Sequence, residues 1–155
     1  MLLKIVAFIS ILSVSLVTGV LWGTWISLSR SIETFSAELF LGIGQRMVKN
    51  LAISMRLLMI SMLLINTALT YLLLHNGHYA AGLLTSSGLL ALVGVVIVTV
   101  RFNVPIDFQI KKWTLNSLPA DWQAIRRRWE LFHEVRTILS LVGFCLITAG
   151  VLTLF

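Results

Sequence analysis

Four apolar stretches that contain no Asp, Glu, Lys or Arg constrain the fold of this chain of 155 residues more than any other feature. Each has about the 18 residues or more that an α-helix needs to cross roughly 30 Å of hydrocarbon. Backbone groups inside a bilayer must be paired within the protein, which favours helices. The stretches therefore predict an all-α fold, an integral membrane four-helix transmembrane bundle, with spans at residues 5–28, 57–74, 79–100 and 137–155.

The composition excludes a water-soluble enzyme. Hydrophobic residues make up 58% of the chain, charged residues 12%, and the mean hydropathy is +0.97. A soluble domain of this length needs more polar surface than these residues supply. We expect residues 1–155 to form a single membrane domain, with the first apolar stretch kept as a span because it is long and carries two tryptophans.

The basic residues predict the orientation in the membrane. Segments 29–56 and 101–136 lie between spans on the same side, and they contain every lysine and arginine except Lys4. The positive-inside rule places this side, which we call the polar end, in the cytoplasm and both termini outside. Basic residues that flank spans also suit anionic lipid, so the net charge of +6 predicts membrane lipids and no nucleic acid as partners.

The first polar segment predicts an amphipathic helix. Ser36 can cap a helix over residues 37–50, with Glu38 in its first turn. We expect this helix to lie along the membrane interface and to turn before the second span. Within the spans, Gly19 and Gly23 form a G-x-x-x-G pair, Gly88 thins the third span, and Asn66 could form a hydrogen bond between helices.

The second polar segment contains two breaks. Pro105 ends the third helix or starts a new one, which places Asn103 and Asp107 beside a bend. Asn103 could serve a site there or satisfy backbone groups that the proline frees. Ser117 and Pro119 predict the start of the last helix well before its membrane span.

The start of the last helix carries a stripe of aromatic and basic residues. At 100° per residue, one arc of roughly 80° contains Trp122, Arg126, Trp129, His133 and Arg136. Such a stripe is either an interfacial belt of tryptophan and arginine or the wall of a site for a planar ligand. The histidine favours a site, since a neutral imidazole there could act as a base or bind a metal.

Metal ligands are few at the polar end. Its single histidine could be joined by Asp107, Glu38 or Glu134, fewer histidines than most oxygen-activating metal sites use. We therefore predict no metal site and no cofactor, with copper and iron left open as alternatives. Walker, Rossmann, G-x-S-x-G and H-E-x-x-H signatures are missing from the sequence.

Several motifs occur together in this region: Asn103-Val104-Pro105-Ile106-Asp107, Trp113, Leu118-Pro119-Ala120-Asp121-Trp122, Arg128-Trp129, His133 and Arg136. Together they resemble the anthrone oxygenase-like family of small four-span membrane proteins, a domain of unknown function family, and its bacterial members in particular. Where relatives often carry asparagine, this chain carries Asp107. Fungal members are implicated in oxidising anthrones to anthraquinones with molecular oxygen.

The resemblance implies a site at the polar end, in a bacterial inner membrane. Its catalytic residues would be His133, Asn103, Asp107 and Arg136, and its ligand-binding residues Trp122, Arg126 and Trp129. His133 would act as the base or as a metal ligand, with Asn103 and an arginine stabilising an oxyanion.

Two functions remain open from the sequence. The first is an oxygenase that acts on a planar phenolic or quinone-like compound. The second is a non-catalytic lipid- or quinone-binding subunit, or a homo-oligomeric scaffold. A transporter is disfavoured because no span has a charged residue at its middle.

Overall fold

Five α-helices make up most of the computed structural model, which describes residues 1–154. They are α1 (Leu2–Ser27), α2 (Ala37–His75), α3 (Tyr79–Val98), α4 (Val104–Lys112) and α5 (Trp122–Leu152). Short 3-10 helices cover Ser29–Thr34 and Leu115–Ser117, a π-helical turn covers Thr99–Asn103, and no strand occurs in the part described. Four helical stretches are long and apolar enough to cross a membrane, so the chain is a multi-pass membrane protein, as predicted.

The four long helices form a bundle. Helix α1 packs against α2 and α5, and α3 packs against the same two helices from the other side. The bundle core consists of aliphatic side chains with essentially no exposed surface, among them Val14, Val17, Leu69, Leu92 and Ile147. In contrast, leucines and isoleucines on the outer faces are mostly exposed, which is the pattern expected when lipid covers the outside.

Small residues let α3 and α5 approach closely. A Cβ atom added at Gly88 would lie 3.0 Å from the carbonyl oxygen of Gly143 and 2.7 Å from a side-chain carbon of Ile147. The predicted thinning of the third span at Gly88 is therefore confirmed. The G-x-x-x-G pair is different, because nothing in the described part of the chain lies within 4 Å of a Cβ atom at Gly19 or Gly23, so within that part the pair makes no close helix contact.

A buried hydrogen bond joins α1 to α2, as expected from Asn66. The hydroxyl of Ser10 donates to Asn66 Oδ1 over 2.6 Å, and Asn66 Nδ2 donates to the carbonyl of Met62 over 2.8 Å. Both side chains are fully buried. Polar groups in an apolar core are stable only when they are paired, and this pair fixes the register of the two helices.

Helix α2 is continuous over 39 residues, so the turn that we expected after residue 50 is absent. Ser36 does cap the helix, since its hydroxyl accepts a hydrogen bond from the amide of Leu39. No proline interrupts the segment, and the backbone ladder therefore continues without cost. At 1.5 Å per residue the helix is about 58 Å long, so part of it projects beyond the hydrocarbon.

The path from α3 to α5 contains one expected break and one correction. Pro105 follows the π-helical turn and occupies the first turn of α4, where its missing N–H costs little. The last helix begins later than we predicted, at Trp122. The side chain of Ser117 instead forms hydrogen bonds with Thr114 at the preceding 3-10 turn. Pro119 lies outside the helix, and its carbonyl accepts a hydrogen bond from the amide of Trp122.

The close α3–α5 contact predicts unequal effects of two glycine substitutions. Gly88→Ala should lower the free energy of unfolding by about 1–3 kcal/mol, because the new methyl group overlaps Ile147 and a backbone oxygen. Gly19→Ala, in open space, should be neutral or stabilise by up to about 1 kcal/mol. Thermal unfolding in detergent measures both, and equal effects would contradict this packing.

Candidate functional site

A cavity of about 410 Å³ lies between the helices toward the polar end. Side chains from α1, α2, α3, α4 and α5 all contribute to its wall. Most of that wall is apolar, and it includes Leu21, Val48, Met55, Met59 and Val96. The volume falls in the range of about 300–1,000 Å³ that is typical of small-molecule sites.

Polar side chains converge on one corner of this cavity. Asp107 from α4 lines it together with Trp129, His133 and Arg136 from successive turns of α5. Trp129 Nε1 donates to Asp107 Oδ1 over 2.9 Å, which links α4 to α5. Three members of the predicted stripe and the predicted carboxylate thus line the same cavity.

The hydrogen bonds of His133 define its protonation. Arg136 Nε lies 3.1 Å from His133 Nδ1, and because a guanidinium can only donate, Nδ1 must be the acceptor. The ring is then neutral with its proton on Nε2, 3.0 Å from the Thr24 hydroxyl. Thr24 in turn can donate to the carbonyls of Val20 and Leu21. Both ring nitrogens are therefore engaged inside the protein.

Asn103 lies in the π-helical turn and is fully buried. Its Nδ2 donates to the carbonyl of Trp129 over 3.1 Å, and its Oδ1 has no hydrogen-bond partner among residues 1–154. It does not contribute to the cavity wall. In this position Asn103 attaches the π-helical turn to α5 next to the residues of the polar corner.

Trp122 and Arg126 lie outside the cavity wall, although they share the stripe. The guanidinium of Arg126 donates to the carbonyls of Glu33 and Phe35 over 3.0 and 3.2 Å. It also stacks at 4.8 Å from the ring centre of Trp122. These contacts attach the segment between α1 and α2 to α5, and Phe40 connects them to Trp129 through an edge-to-face contact.

Four residues of this region were not predicted from the sequence. Thr24, Arg56 and Lys111 line the cavity. Gln45 Nε2 donates to the carbonyls of Ile110 and Trp113 over 3.0 and 2.8 Å, which joins α2 to the end of α4. A polar residue at the end of a span carries no local signal of its distant partner, so only the tertiary contacts identify these residues.

The side chains of the polar corner do not fit a metal. Within residues 1–154, no group of three or more His, Cys, Asp and Glu side chains is arranged to hold an ion. The histidine of the corner already uses both ring nitrogens in hydrogen bonds. An N-ligand for copper or iron would have to give up one of these bonds.

The contacts of Arg126 predict how its loss affects the neighbouring segment. Arg126→Gln should speed trypsin cleavage after Arg30 by about tenfold, because two backbone carbonyls lose their donors and local opening becomes easier. Arg128→Gln is the matched control, since Arg128 is exposed and contacts Phe132 instead. Equal cleavage rates for both variants would show that Arg126 does not secure this segment.

One comparison with known proteins identifies the family. The family model described as anthrone oxygenase matches residues 49–146, which is more than half of the chain. No curated protein and no solved structure gives a match. The matched region contains all four residues of the polar corner, whereas Thr24, the partner of His133, lies before it. The chain therefore belongs to the anthrone oxygenase family, as its motifs predicted.

Proposed function

We propose that the protein oxidises a planar phenolic or quinone-like compound with molecular oxygen in this cavity, at the cytoplasmic membrane surface. The observation that carries the proposal is the position of Asp107, Trp129, His133 and Arg136 at one corner of an otherwise apolar cavity. An apolar chamber with a few converging polar groups suits an aromatic body that carries oxygen substituents. The family's name supplies the type of reaction.

Asp107 is our candidate for the base. One of its oxygens accepts a hydrogen bond from the Trp129 indole N–H, and no hydrogen bond to the other oxygen occurs within the described residues. His133 is the weaker candidate, because its Nδ1 can accept a substrate proton only after Arg136 releases it. A carboxylate in a mostly apolar cavity is also a stronger base than one in water, since burial disfavours its charge.

The reaction can be written with the carboxylate as proton carrier. Asp107 removes a proton from the acidic CH₂ group of an anthrone-type substrate, and the electron-rich carbanion reacts with O₂ to form a carbon–oxygen bond. The peroxide anion takes back the proton and then loses water as the O–O bond breaks. The balance is R₂CH₂ + O₂ → R₂C=O + H₂O.

Arg136 and Trp129 would position the substrate. The cationic guanidinium can stabilise the oxyanion that forms when the CH₂ group loses its proton. His133 accepts a hydrogen bond from Arg136 Nε–H and so orients the guanidinium, while Thr24 holds the histidine ring. The role of Asn103 in this scheme is indirect: its bond to the Trp129 carbonyl keeps Asp107 and Trp129 in register.

A second candidate function is a non-catalytic quinone- or lipid-binding subunit. The engagement of both His133 nitrogens favours it, because a histidine held in this way stabilises the protein without being free to react. The cavity would serve either function. Oxygen consumption separates them, since a binding protein would take up the compound without turnover.

The orientation is part of the proposal. We place the polar end in the cytoplasm and both termini on the outer side of a bacterial inner membrane, because nearly all the basic residues lie in the two polar segments. Aromatic compounds made in the cytoplasm or dissolved in the bilayer would then reach the cavity directly.

The proposal predicts the effect of an isosteric substitution at the base. Asp107→Asn should lower oxygen consumption with an anthrone-type phenol by about 100-fold or more, since a general base contributes about 10²–10⁴-fold. The amide oxygen can still accept the hydrogen bond from the Trp129 indole N–H, so the fold should be unchanged. An oxygen electrode measures the rate on detergent-purified protein, with the metal content of the same sample determined.

His133→Gln is the companion variant, because it changes the other candidate base. Asp107 as base predicts a smaller loss for His133→Gln than for Asp107→Asn. The reverse order would assign the proton transfer to His133. A folded, monodisperse wild-type protein that consumes no oxygen would favour the binding function.

A further inference from the structure

The cavity wall is incomplete on one side. Ile60 on α2 lines the cavity, and so do Val100 and Phe108 on the α3–α4 path. The same side chains are 52%, 61% and 57% exposed. Cavity-lining side chains with more than half of their surface exposed indicate that the wall is open between α2 and the α3–α4 path.

This side opening is closed above and below. Toward the polar end, Gln45 bonds to two carbonyls at the end of α4 and joins the two sides. Toward the other end, the bundle core is solid, with Met62, Leu69 and Leu92 fully buried. The opening is therefore lateral. It lies at the level where span 57–74 begins and span 79–100 ends.

The charges around the cavity are unbalanced. Arg56, Lys111 and Arg136 line it, against the single carboxylate of Asp107. His133 adds no charge, because it accepts a hydrogen bond from Arg136. In the described part of the chain, the ion pair within 4.0 Å joins Arg127 to Glu33, away from this cavity. Surplus positive charge beside an apolar chamber favours an anion, since low-dielectric surroundings strengthen the attraction.

Lipid phosphates are the other explanation for two of these cations. Arginine and lysine near a membrane surface commonly extend toward headgroups, and both Arg56 and Lys111 are exposed. Their shared position on one cavity favours a ligand that enters it. An aromatic acid or phenolate would place its ring against the methionines and its charge among the cations.

We propose that the cavity takes its ligand sideways from the bilayer through the opening between α2 and α4, and that this ligand is an amphiphilic aromatic anion held by Arg56 and Lys111. The inference rests on the same cavity as the proposed function and names the substrate class and its route. It requires binding only, so it can be tested without turnover.

The charge preference can be measured with two probes of equal shape. Protein in phosphatidylcholine nanodiscs is titrated with 9-anthracenecarboxylate or with neutral 9-anthracenemethanol, and quenching of tryptophan fluorescence is followed after subtraction of empty nanodiscs. We expect the carboxylate to bind about tenfold more tightly. Arg56→Gln and Lys111→Gln should each remove most of this preference.

Lys112→Gln is the matched control, because Lys112 is the exposed neighbour of Lys111 and does not line the cavity. It should leave the preference unchanged. Equal binding of the two probes, or equal effects of Lys111→Gln and Lys112→Gln, would overturn the anion assignment. Displacement of the probe by glycerol 3-phosphate would also overturn it, since a headgroup phosphate would then suffice without an aromatic body.

The route is tested by filling the opening. Ile60→Trp should slow association of membrane-dissolved 9-anthracenecarboxylate by about tenfold in stopped-flow experiments that excite the probe directly. Leu64→Trp, one turn further along α2, is exposed but lies off the cavity and should have no effect. An unchanged rate for Ile60→Trp would overturn the lateral route.

The two proposals fail in different ways. Selective binding of the carboxylate without oxygen consumption would leave the anion site in place and remove the oxygenase. Oxygen consumption without a preference for the carboxylate would support the oxygenase and remove the anion site.

Discussion

The link between α4 and α5 is the constraint on which the candidate site depends. Pro105 prevents α3 from continuing as an ordinary helix, and a π-helical turn precedes the short α4. Two hydrogen bonds then attach this irregular segment to α5, one from Asn103 to the Trp129 carbonyl and one from the Trp129 indole to Asp107. These bonds hold the Asp107 carboxylate against Trp129 at the cavity that His133 and Arg136 also line.

Burial in a low-dielectric region makes every polar contact in this corner consequential. Polar groups there must be paired, and the chain of bonds from Thr24 through His133 to Arg136 satisfies most of them. The same pairing limits the chemistry, because a histidine with both nitrogens engaged is a poor base. It leaves Asp107 and the guanidinium as the groups that could act on a ligand. These two groups are the ones to which the proposed function assigns proton transfer and anion stabilisation.

A large part of the fold was predictable from local patterns. Apolar stretches gave the four spanning helices, and Ser36 gave the start of α2. The motifs around Pro105 and His133 gave the family, which the family model confirms. The errors concern helix boundaries. The continuity of α2 and the late start of α5 depend on backbone hydrogen bonds of the helix and of the turn, and these differ little in energy from a break or from an earlier start.

The sequence by itself determined that this protein is a helical membrane protein of the anthrone oxygenase family, because span length and motif identity are properties of neighbouring residues. Only the tertiary structure separated the aromatic and basic stripe into two roles. Trp129, His133 and Arg136 line the cavity, whereas Trp122 and Arg126 hold the segment between α1 and α2. A helical wheel cannot make this distinction, since residues on one face of a helix meet different partners as the helix passes through the bundle.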